Sequence, residues 1–279
     1  MASQYSTILA SDSSTAVNQY DVIKYSDYES LKSNYETALS NYNTLYNKVY
    51  SVPSSFYNLR VEGGGIIFFD WKYGFTGAAT TGKEGCSVSA DTKSDLGDYD
   101  YDNITGEVHC RRVGSKHRFY VVAESDLTNS TVGWDTVDPE DYKNAFAPFG
   151  TGKANTTYLC KAITNDVWPL VETARATNPS GHTLVSDDSA LDTRWFVPSK
   201  NELYVLNAMQ YSDSSYRPSG IPQLSINYSA GTLSQYYWSS SQHTSTLNDA
   251  WCGNFSLGRM HGNYKNDTTS LRVRLCRTF

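Results

Sequence analysis

The stretch DTRWFVPSKNELYVLNAM, residues 192–209, contains a clear junction between a strand and a helix. Its apolar run WFV predicts a short buried strand, and Pro198 ends that strand because proline supplies no amide hydrogen. Ser199, followed three residues later by Glu202, is the pattern of a capping box at the start of a helix. The inner face of that helix is then formed by Leu203, Leu206 and Met209.

Three further segments downstream are typical of strands. YYWSSS (236–241), DAWCGNF (249–255) and SLRVRLCRTF (270–279) combine aromatic and β-branched residues with polar connections. We expect them to form a closing β-meander joined by polar turns.

Upstream, GGGIIFFDWKYGF (63–75) predicts a buried strand after a glycine hinge, and HRFYVVAES (117–125) predicts another. Residues 82–112 between them are polar, and DTKSDLGDYDYDN (91–103) holds five aspartates. Because the spacing of an EF-hand with its closing glutamate is absent, we interpret 82–112 as a solvated loop and not as a calcium site.

Residues 138–163 predict a loop followed by a helix, with Asn155 or Thr156 as its cap. The segment GTGK (150–153) is similar to part of a phosphate-binding loop. The required GxxxxGK[ST] pattern is not met, because Ala154 follows the lysine, and this argues against nucleotide binding.

A helical pattern precedes these elements, over residues 23–52. Apolar side chains recur there at alternating spacings of three and four, and Pro53 ends the helix. The pattern fits a short parallel coiled coil, for which we expect a trimer, or one amphipathic helix lying on its own domain. Residues 1–22 have little periodicity, which suits a poorly ordered arm or a segment that orders against something else. The stripe consists of Tyr28, Leu31, Tyr35, Ala38, Tyr42, Leu45 and Val49.

Composition excludes several classes of function. The 279 residues carry a net charge of −6 with a pI near 5.4, which leaves no basic field for nucleic acid or for an anionic membrane. The N-terminus has no basic segment followed by an apolar run, so we expect no signal peptide and synthesis in the cytoplasm. Five dispersed cysteines predict free thiols, and without paired Cys or His spacing we expect no metal and no cofactor.

The order WFVPSKNEL, helix, YYWSSSQ, AWCGNFSLG and LRVRLCRTF resembles the C-type-lectin-fold domains of the formylglycine-generating-enzyme-like group. More narrowly, it resembles the variable proteins of diversity-generating retroelements of phages and bacteria, over roughly residues 138–279. With the helical pattern at 23–52 and the arm at 1–22, we expect an α+β fold in which a coiled-coil stalk (23–52) precedes a C-type-lectin-like domain (53–279); the resemblance itself implies the domain and not the stalk or the arm. It also implies a variable region at about 236–279, rewritten by adenine-directed mutagenesis.

The composition of that region is compatible with such rewriting. Between Ser239 and Ser270, 14 of 32 residues are Ser, Thr or Asn and none is Glu. Replacement of the adenines in an Asn codon yields Ser and Thr but never Glu, so this composition is the one that such rewriting would produce. Polar turns favour the same residues, so composition alone leaves both readings open. The variable hypothesis is favoured by an apolar framework between the polar positions. This framework consists of Trp238, Ala250, Trp251, Phe255, Val273, Leu275 and Phe279, with Met260 and Lys265 also expected to be fixed.

We therefore expect a ligand-binding face built from polar residues on that framework, as in antibody loops. Arg272, Arg274 and Arg277 are expected to form hydrogen bonds beneath it instead of contacting ligand. The predicted contact residues are His243, Thr244, Asn248, Asp249, Cys252, Asn254, Ser256, Arg259, His261, Asn263, Tyr264, Asn266 and Asp267.

Two activities known for this fold are not expected. Calcium-dependent sugar binding uses Glu-Pro-Asn and Trp-Asn-Asp motifs, whereas Asn248-Asp249 follows Leu247 here and no Glu-Pro-Asn exists. A formylglycine-generating site needs a reactive cysteine pair, for which Cys252 and Cys276 are the candidates, without a matching pattern around them. We therefore expect no catalytic residues and no enzyme.

The resemblance implies a phage tail or virion adhesin that binds a host cell-surface protein or glycan. We expect self-association through the 23–52 helix, contacts of the arm with other virion proteins, and neither nucleic-acid binding nor membrane insertion. The alternative is a structural protein that decorates a virion or fibre without diversified binding.

Overall fold

The chain divides into two units, Met1–Val49 and Tyr50–Phe279. The expected arm (1–22) and Pro53 lie outside the described residues. The computed structural model describes residues 25–49, 55–77, 86–91, 95–112, 114–127, 132–135, 142, 145–162, 193–211, 215, 217, 219–224, 226, 235–267 and 271–279.

The described part of the first unit is one helix, α1 (Tyr25–Val49). Most of the described side chains of its apolar stripe are solvent-exposed, with Leu31, Tyr35 and Tyr42 at 59%, 67% and 62% of full exposure. The rings of Tyr42 and Tyr46 stack, with centroids 6.2 Å apart. Among the described residues, no helix is both long and apolar enough to cross a bilayer.

The second unit is mixed α+β, with most of its regular structure in strands, and it is compatible with a lectin-like fold. Its described strands form sheets in the orders β12-β7-β2-β1-β6-β5, β10-β9-β8-β11 and β3-β4. The elements are β1 (Arg60–Val61), β2 (Ile66–Asp70), β3 (Phe75–Gly77), β4 (Cys86–Val88), β5 (Asp98–Asp102), β6 (Glu107–Arg112), β7 (Phe119–Val122), α2 (Gly152–Ala162), α3 (Lys200–Gln210), β8 (Tyr236–Gln242), β9 (Asp249–Asn254), β10 (Arg259–Tyr264), β11 (Leu271–Arg272) and β12 (Cys276–Thr278).

Strands β2 and β7 are neighbours inside the six-stranded sheet and are buried along their whole length. Both expected strands are therefore present, although the first is shorter than 63–75. A turn follows Asp70, and the chain resumes as β3. Burial on both faces explains why these segments are continuous apolar runs without alternation.

The aspartate-rich segment contains a strand, and the expected loop over 82–112 is wrong at β4, β5 and β6. In DYDYD (98–102) the tyrosines alternate with aspartates, and Tyr99 is buried against the rings of Phe119 and Phe279. Asp100 lies on the opposite face and pairs with Arg111. The period-two alternation indicated a half-buried strand, and the high charge concealed it.

The capping box predicted at Ser199 is confirmed. The Glu202 backbone amide donates to Ser199 Oγ at 3.4 Å, and the Ser199 amide donates to Glu202 Oε2 at 2.6 Å. The carboxyl group is fully buried and also accepts from the Gly150 amide at 3.0 Å. Burial raises the pKa of Glu202 to about 7, against the opposing effect of these hydrogen bonds.

The position of Glu202 accounts for the second glycine of GTGK. A Cβ atom at Gly152 would lie 2.2 Å from Glu202 Oε2 and 2.8 Å from the Phe196 ring. Helix α2 begins at Gly152, so the expected cap at Asn155 or Thr156 is wrong. Both side chains are buried within the helix instead, and Thr156 Oγ1 accepts from the Val197 amide at 3.0 Å.

The C-terminal segment is not one strand of a meander. Strand β11 pairs in parallel with β8, whereas β12 pairs antiparallel with β7 in the other sheet. The segment therefore joins the two sheets, and Val273 and Leu275 between the two strands are buried in the core.

Candidate ligand-binding face

The framework expected beneath the face is buried. Trp238 and Ala250 are fully buried, Trp251 is 8% exposed and Phe255 4%. The buried framework also includes Val273, Leu275 and Phe279, and Lys265 is 3% exposed. The expectation of a framework is confirmed, with Met260 only partly buried against the core.

The polar positions lie partly on a strand that the sequence reading missed. Residues 259–264 were assigned to turns, yet they form β10, the edge of the four-stranded sheet. Strand β10 pairs with β9 from Arg259↔Asn254 to Tyr264↔Asp249. The six residues of β10 are separated by five steps of about 3.4 Å, so the two ends of the strand lie about 17 Å apart. The predicted contact residues therefore cannot all meet at one site.

At one end, the loop between β8 and β9 is held by its own polar side chains. His243 Nδ1 lies 3.0 Å from Thr246 Oγ1, and that hydroxyl donates to Asp249 Oδ2 at 2.8 Å. The His243 amide also donates to the Asp249 carbonyl. These three residues fix the loop, which leaves Thr244 and Asn248 exposed between them.

The His243 ring itself is half-buried in a stack. Its centroid lies 4.3 Å from that of Trp251, and Lys200 Nζ lies 3.7 Å from the indole centroid. On β10, a Cβ atom at Gly262 would lie 2.8 Å from His243 Cδ2. The main role of His243 is therefore to hold the loop in place, and little of its ring is available to contact a ligand.

The end of β10 lies beside this loop. The Lys265 amide donates to the Asn248 carbonyl at 2.9 Å. Tyr264 lies opposite Asp249 in the pairing of β10 with β9, and its side chain is 65% exposed. Asn263 and Asp267 are half-buried, and Asn263 Nδ2 donates a hydrogen bond to Asp267 Oδ2 at 2.8 Å. Five of the exposed residues at this end form what we call the loop-end patch: Thr244, Leu247, Asn248, Tyr264 and Asn266. Ser245 and Thr246 are exposed too, but their hydroxyls contact His243 Nδ1.

The other end of β10 carries a second, smaller group. Ser256, Leu257 and Arg259 are exposed in and beside the β9–β10 turn. His261, in the middle of the strand, is half-buried, with its ring 5.4 Å from that of Tyr236. Sequence reasoning missed Leu247 and Leu257, about half exposed, although leucine is also reachable from a rewritten Asn codon.

Two predicted contact residues are structural. Cys252 is fully buried, with Sγ 3.4 Å from the His261 ring nitrogens. Asn254 is 3% exposed, and its Oδ1 accepts from the Ser256 and Leu257 amides, which shapes the β9–β10 turn. Strand β9 lies inside the sheet and is buried from Ala250 to Asn254, so the prediction of ligand contact is wrong for both residues.

The three arginines form hydrogen bonds inside the domain, as expected. Arg274 Nε donates to Asp126 Oδ1 at 2.8 Å, and Arg272 Nη1 donates to Asp126 Oδ2 at 3.2 Å. Arg277 donates to the Glu62 and Gly64 carbonyls.

Two cysteine thiols of the domain are fully buried. Burial raises the pKa of the Cys252 and Cys276 thiols well above the usual range, which is the opposite of what a reactive thiolate needs. All five cysteines are free. Within the described residues, no three His, Cys, Asp or Glu side chains are arranged to hold a metal ion.

Residues 140–277 match the family model of the Lcl C-terminal domain. This part of the chain is an Lcl C-terminal domain. It is the C-terminal domain of C-type-lectin-fold variable proteins associated with diversity-generating retroelements. The Lcl C-terminal family is non-catalytic and of the binding type, and it indicates a surface-displayed binding protein.

Other comparisons add little. A fimbrial protein from Bacteroides ovatus is 16% identical to this chain, with a TM-score of 0.38. The match covers 58% of this chain and 36% of that protein, a likeness too low to carry an argument. A search of curated proteins finds no match.

Proposed function

We propose that this protein binds a host cell-surface protein or glycan through the loop-end patch of its Lcl C-terminal domain. The observation that carries the proposal is the separation of the framework from the exposed positions. Trp238 and Trp251 are buried, while Tyr264 and Asn266 project from the adjoining strand and turn. An exposed tyrosine among small hydroxyl and amide side chains is typical of an adaptable binding surface.

We further propose that the protein is displayed on a phage tail or virion and that the patch is diversified between copies of the gene. The family match and the many Ser, Thr and Asn residues between 239 and 270 support this role. An edge strand and a hairpin loop tolerate many side chains, because their exposed positions make few contacts within the fold. The arm at residues 1–22 would attach the protein to other virion proteins.

The binding role is tested by Tyr264→Ala. We expect about tenfold weaker binding of the full chain to whole cells of the host bacterium, because truncation removes the largest exposed ring of the patch. Binding is measured by flow cytometry with fluorescently labelled protein. Tyr73→Ala is the matched control, since Tyr73 is 51% exposed and lies outside the patch. Equal binding by both variants would contradict the proposed site.

We also propose that α1 forms a trimeric coiled coil with two further copies of this chain. Its exposed stripe, at alternating spacings of three and four, is the pattern that such a seam needs. Several weak binding sites on one trimer would then act together through a high effective concentration.

Sedimentation of the full chain tests this assembly. We expect a trimer for the unmodified chain and a monomer for Tyr35→Asp/Tyr42→Asp, because two charges would enter the apolar seam. The control, Ser33→Asp/Ser40→Asp, places the same charges outside the stripe and should remain trimeric. A monomeric unmodified chain would contradict the proposal.

A further inference from the structure

Strand β10 leaves one side of its backbone open at the edge of the four-stranded sheet. In an antiparallel pair, the backbone N–H and C=O groups of successive residues point alternately toward the partner strand and away from it. The Lys265 amide donates to the Asn248 carbonyl directly beyond the last strand pair, which sets this alternation along the strand. The backbone groups of Arg259, His261 and Asn263 therefore face β9.

The backbone groups of Met260, Gly262 and Tyr264 face outward. Within the described part of the chain, their three amides donate no hydrogen bond, and no strand pairs with this side of β10. The Tyr264 carbonyl accepts from the Asp267 amide, and the Gly262 carbonyl lies 3.1 Å from His261 Nδ1. Three amides, at a spacing of about 6.8 Å, thus remain as donors along the edge.

The other edges of the described sheets are short, covered or interrupted. Strand β11 has two residues, β3 and β4 have three each, and β12 has three and is bridged from its outer side by Phe196. Strand β5 has five residues, but its register shifts between Asp98 and Tyr99, and three aspartates alternate along it. Such features keep an edge from pairing with another chain.

Strand β10 lacks this protection. It has six residues, none of them fully buried, and it pairs with β9 without a shift of register. It contains no proline, and its single Lys, Arg, Asp or Glu residue is Arg259, at the first position. A long, regular and accessible edge is a template for one more strand.

We propose that the outer edge of β10 pairs with an extended segment of the host cell-surface protein that the loop-end patch binds. This inference rests on the proposed function and selects a protein over a glycan as the partner. A polypeptide strand repeats its carbonyl groups at the spacing of the three outward amides, and a glycan does not. Tyr264 belongs to both the edge and the patch, so the two surfaces are continuous.

Main-chain pairing suits a surface whose side chains vary. Substitution of Arg259, Asn263 or Tyr264 by most other residues changes the side chains beside the edge and leaves the backbone amides in place. The amides then contribute affinity that is common to all variants, and the side chains select the partner.

Pairing of β10 with its copy in a second chain is the alternative. Centred on Gly262, it would place Tyr264 within the paired strands and close part of the loop-end patch. Sedimentation of Tyr35→Asp/Tyr42→Asp, which lacks the apolar seam of α1, distinguishes the two occupants. We expect a monomer, and a dimer that Tyr264→Pro dissociates would overturn the proposal.

Binding of Tyr264→Pro and Tyr264→Ala to whole host cells tests the pairing. Both variants lack the ring, but only the proline variant also lacks the outward amide hydrogen, at an edge position where proline is tolerated. We expect Tyr264→Pro to bind about tenfold more weakly than Tyr264→Ala, through the loss of one hydrogen bond. Equal binding by two variants that calorimetry shows to be folded would overturn the proposal.

Treatment of the host cells keeps the test valid if Tyr264→Pro does not fold. We expect proteinase K to abolish binding of the unmodified chain, and periodate oxidation of the glycans to leave it unchanged. Loss of binding after periodate treatment would contradict strand pairing and leave the proposed binding function intact. Absence of binding to untreated cells would refute the proposed function, and this inference with it.

Discussion

Asp126→Ala is expected to lower the free energy of unfolding of the domain by about 3–5 kcal/mol. The Asp126 side chain is 1% exposed and accepts from Arg272, Arg274 and the Tyr237 hydroxyl. Arg274 is itself 2% exposed, so removal of the carboxylate would leave a buried guanidinium without its counter-charge. Denaturant unfolding followed by tryptophan fluorescence measures the loss.

Asp100→Ala is the control for that experiment. Asp100 also pairs with an arginine, but the Arg111 side chain is 55% exposed. Exposed pairs contribute little, so we expect a change within about 1 kcal/mol. Equal effects of the two substitutions would show that the arginines on the last strands are not anchored through Asp126.

Trp238→Ala is expected to cost about 3–5 kcal/mol, which corresponds to a fall in Tm on the order of 10 °C for a domain of this size. Trp238 is fully buried between the strands that carry the face, and its Nε1 donates to the Val132 carbonyl at 2.7 Å. Truncation leaves a large cavity and an unpaired carbonyl. Differential scanning calorimetry measures the change in Tm.

Tyr264→Ala, on the same sheet, is the contrast. Its ring is 65% exposed, so we expect less than about 1 kcal/mol of lost stability. Equal destabilisation by Trp238→Ala and Tyr264→Ala would contradict the division into a buried framework that stabilises the domain and an exposed patch that does not.

The local features of the fold were readable from sequence because they depend on neighbouring residues. Ser199 and Glu202 form their capping box within one helical turn. The strands β2, β7, β8 and β9 are apolar or alternating runs whose type follows from their own residues. In contrast, the sequence does not reveal why residue 152 is a glycine. A side chain there would collide with Glu202, which is fifty residues away along the chain.

Two segments that the sequence predicts as loop or turn are strands in the structure. In both cases the neighbouring strand, and not the segment's own composition, determines the strand conformation. The five-residue segment 98–102 has the charge of a loop, but β6 provides its partner and Phe119 its packing surface. Likewise β10 has the composition of a turn and becomes a strand because β9 pairs with it along six residues.

The candidate site was predicted in outline only. The range 243–267 contains the exposed surface, but composition cannot say which side of a strand a residue faces. Cys252 and Asn254 therefore appeared equivalent to Thr244 and Tyr264, although the first two are buried. Register with β10 separates them, and it also divides the exposed residues between the two ends of the strand.

The proposed binding patch is exposed and diversified, and it lies on a buried, constant framework. Deep sequencing of codons 236–279 from the natural population of this gene tests this proposal. We expect substitutions concentrated at Thr244, Asn248, Tyr264 and Asn266, with Trp238 and the other framework residues unchanged. Uniform or absent variation across these codons would contradict it, and would favour a structural decoration protein without diversified binding.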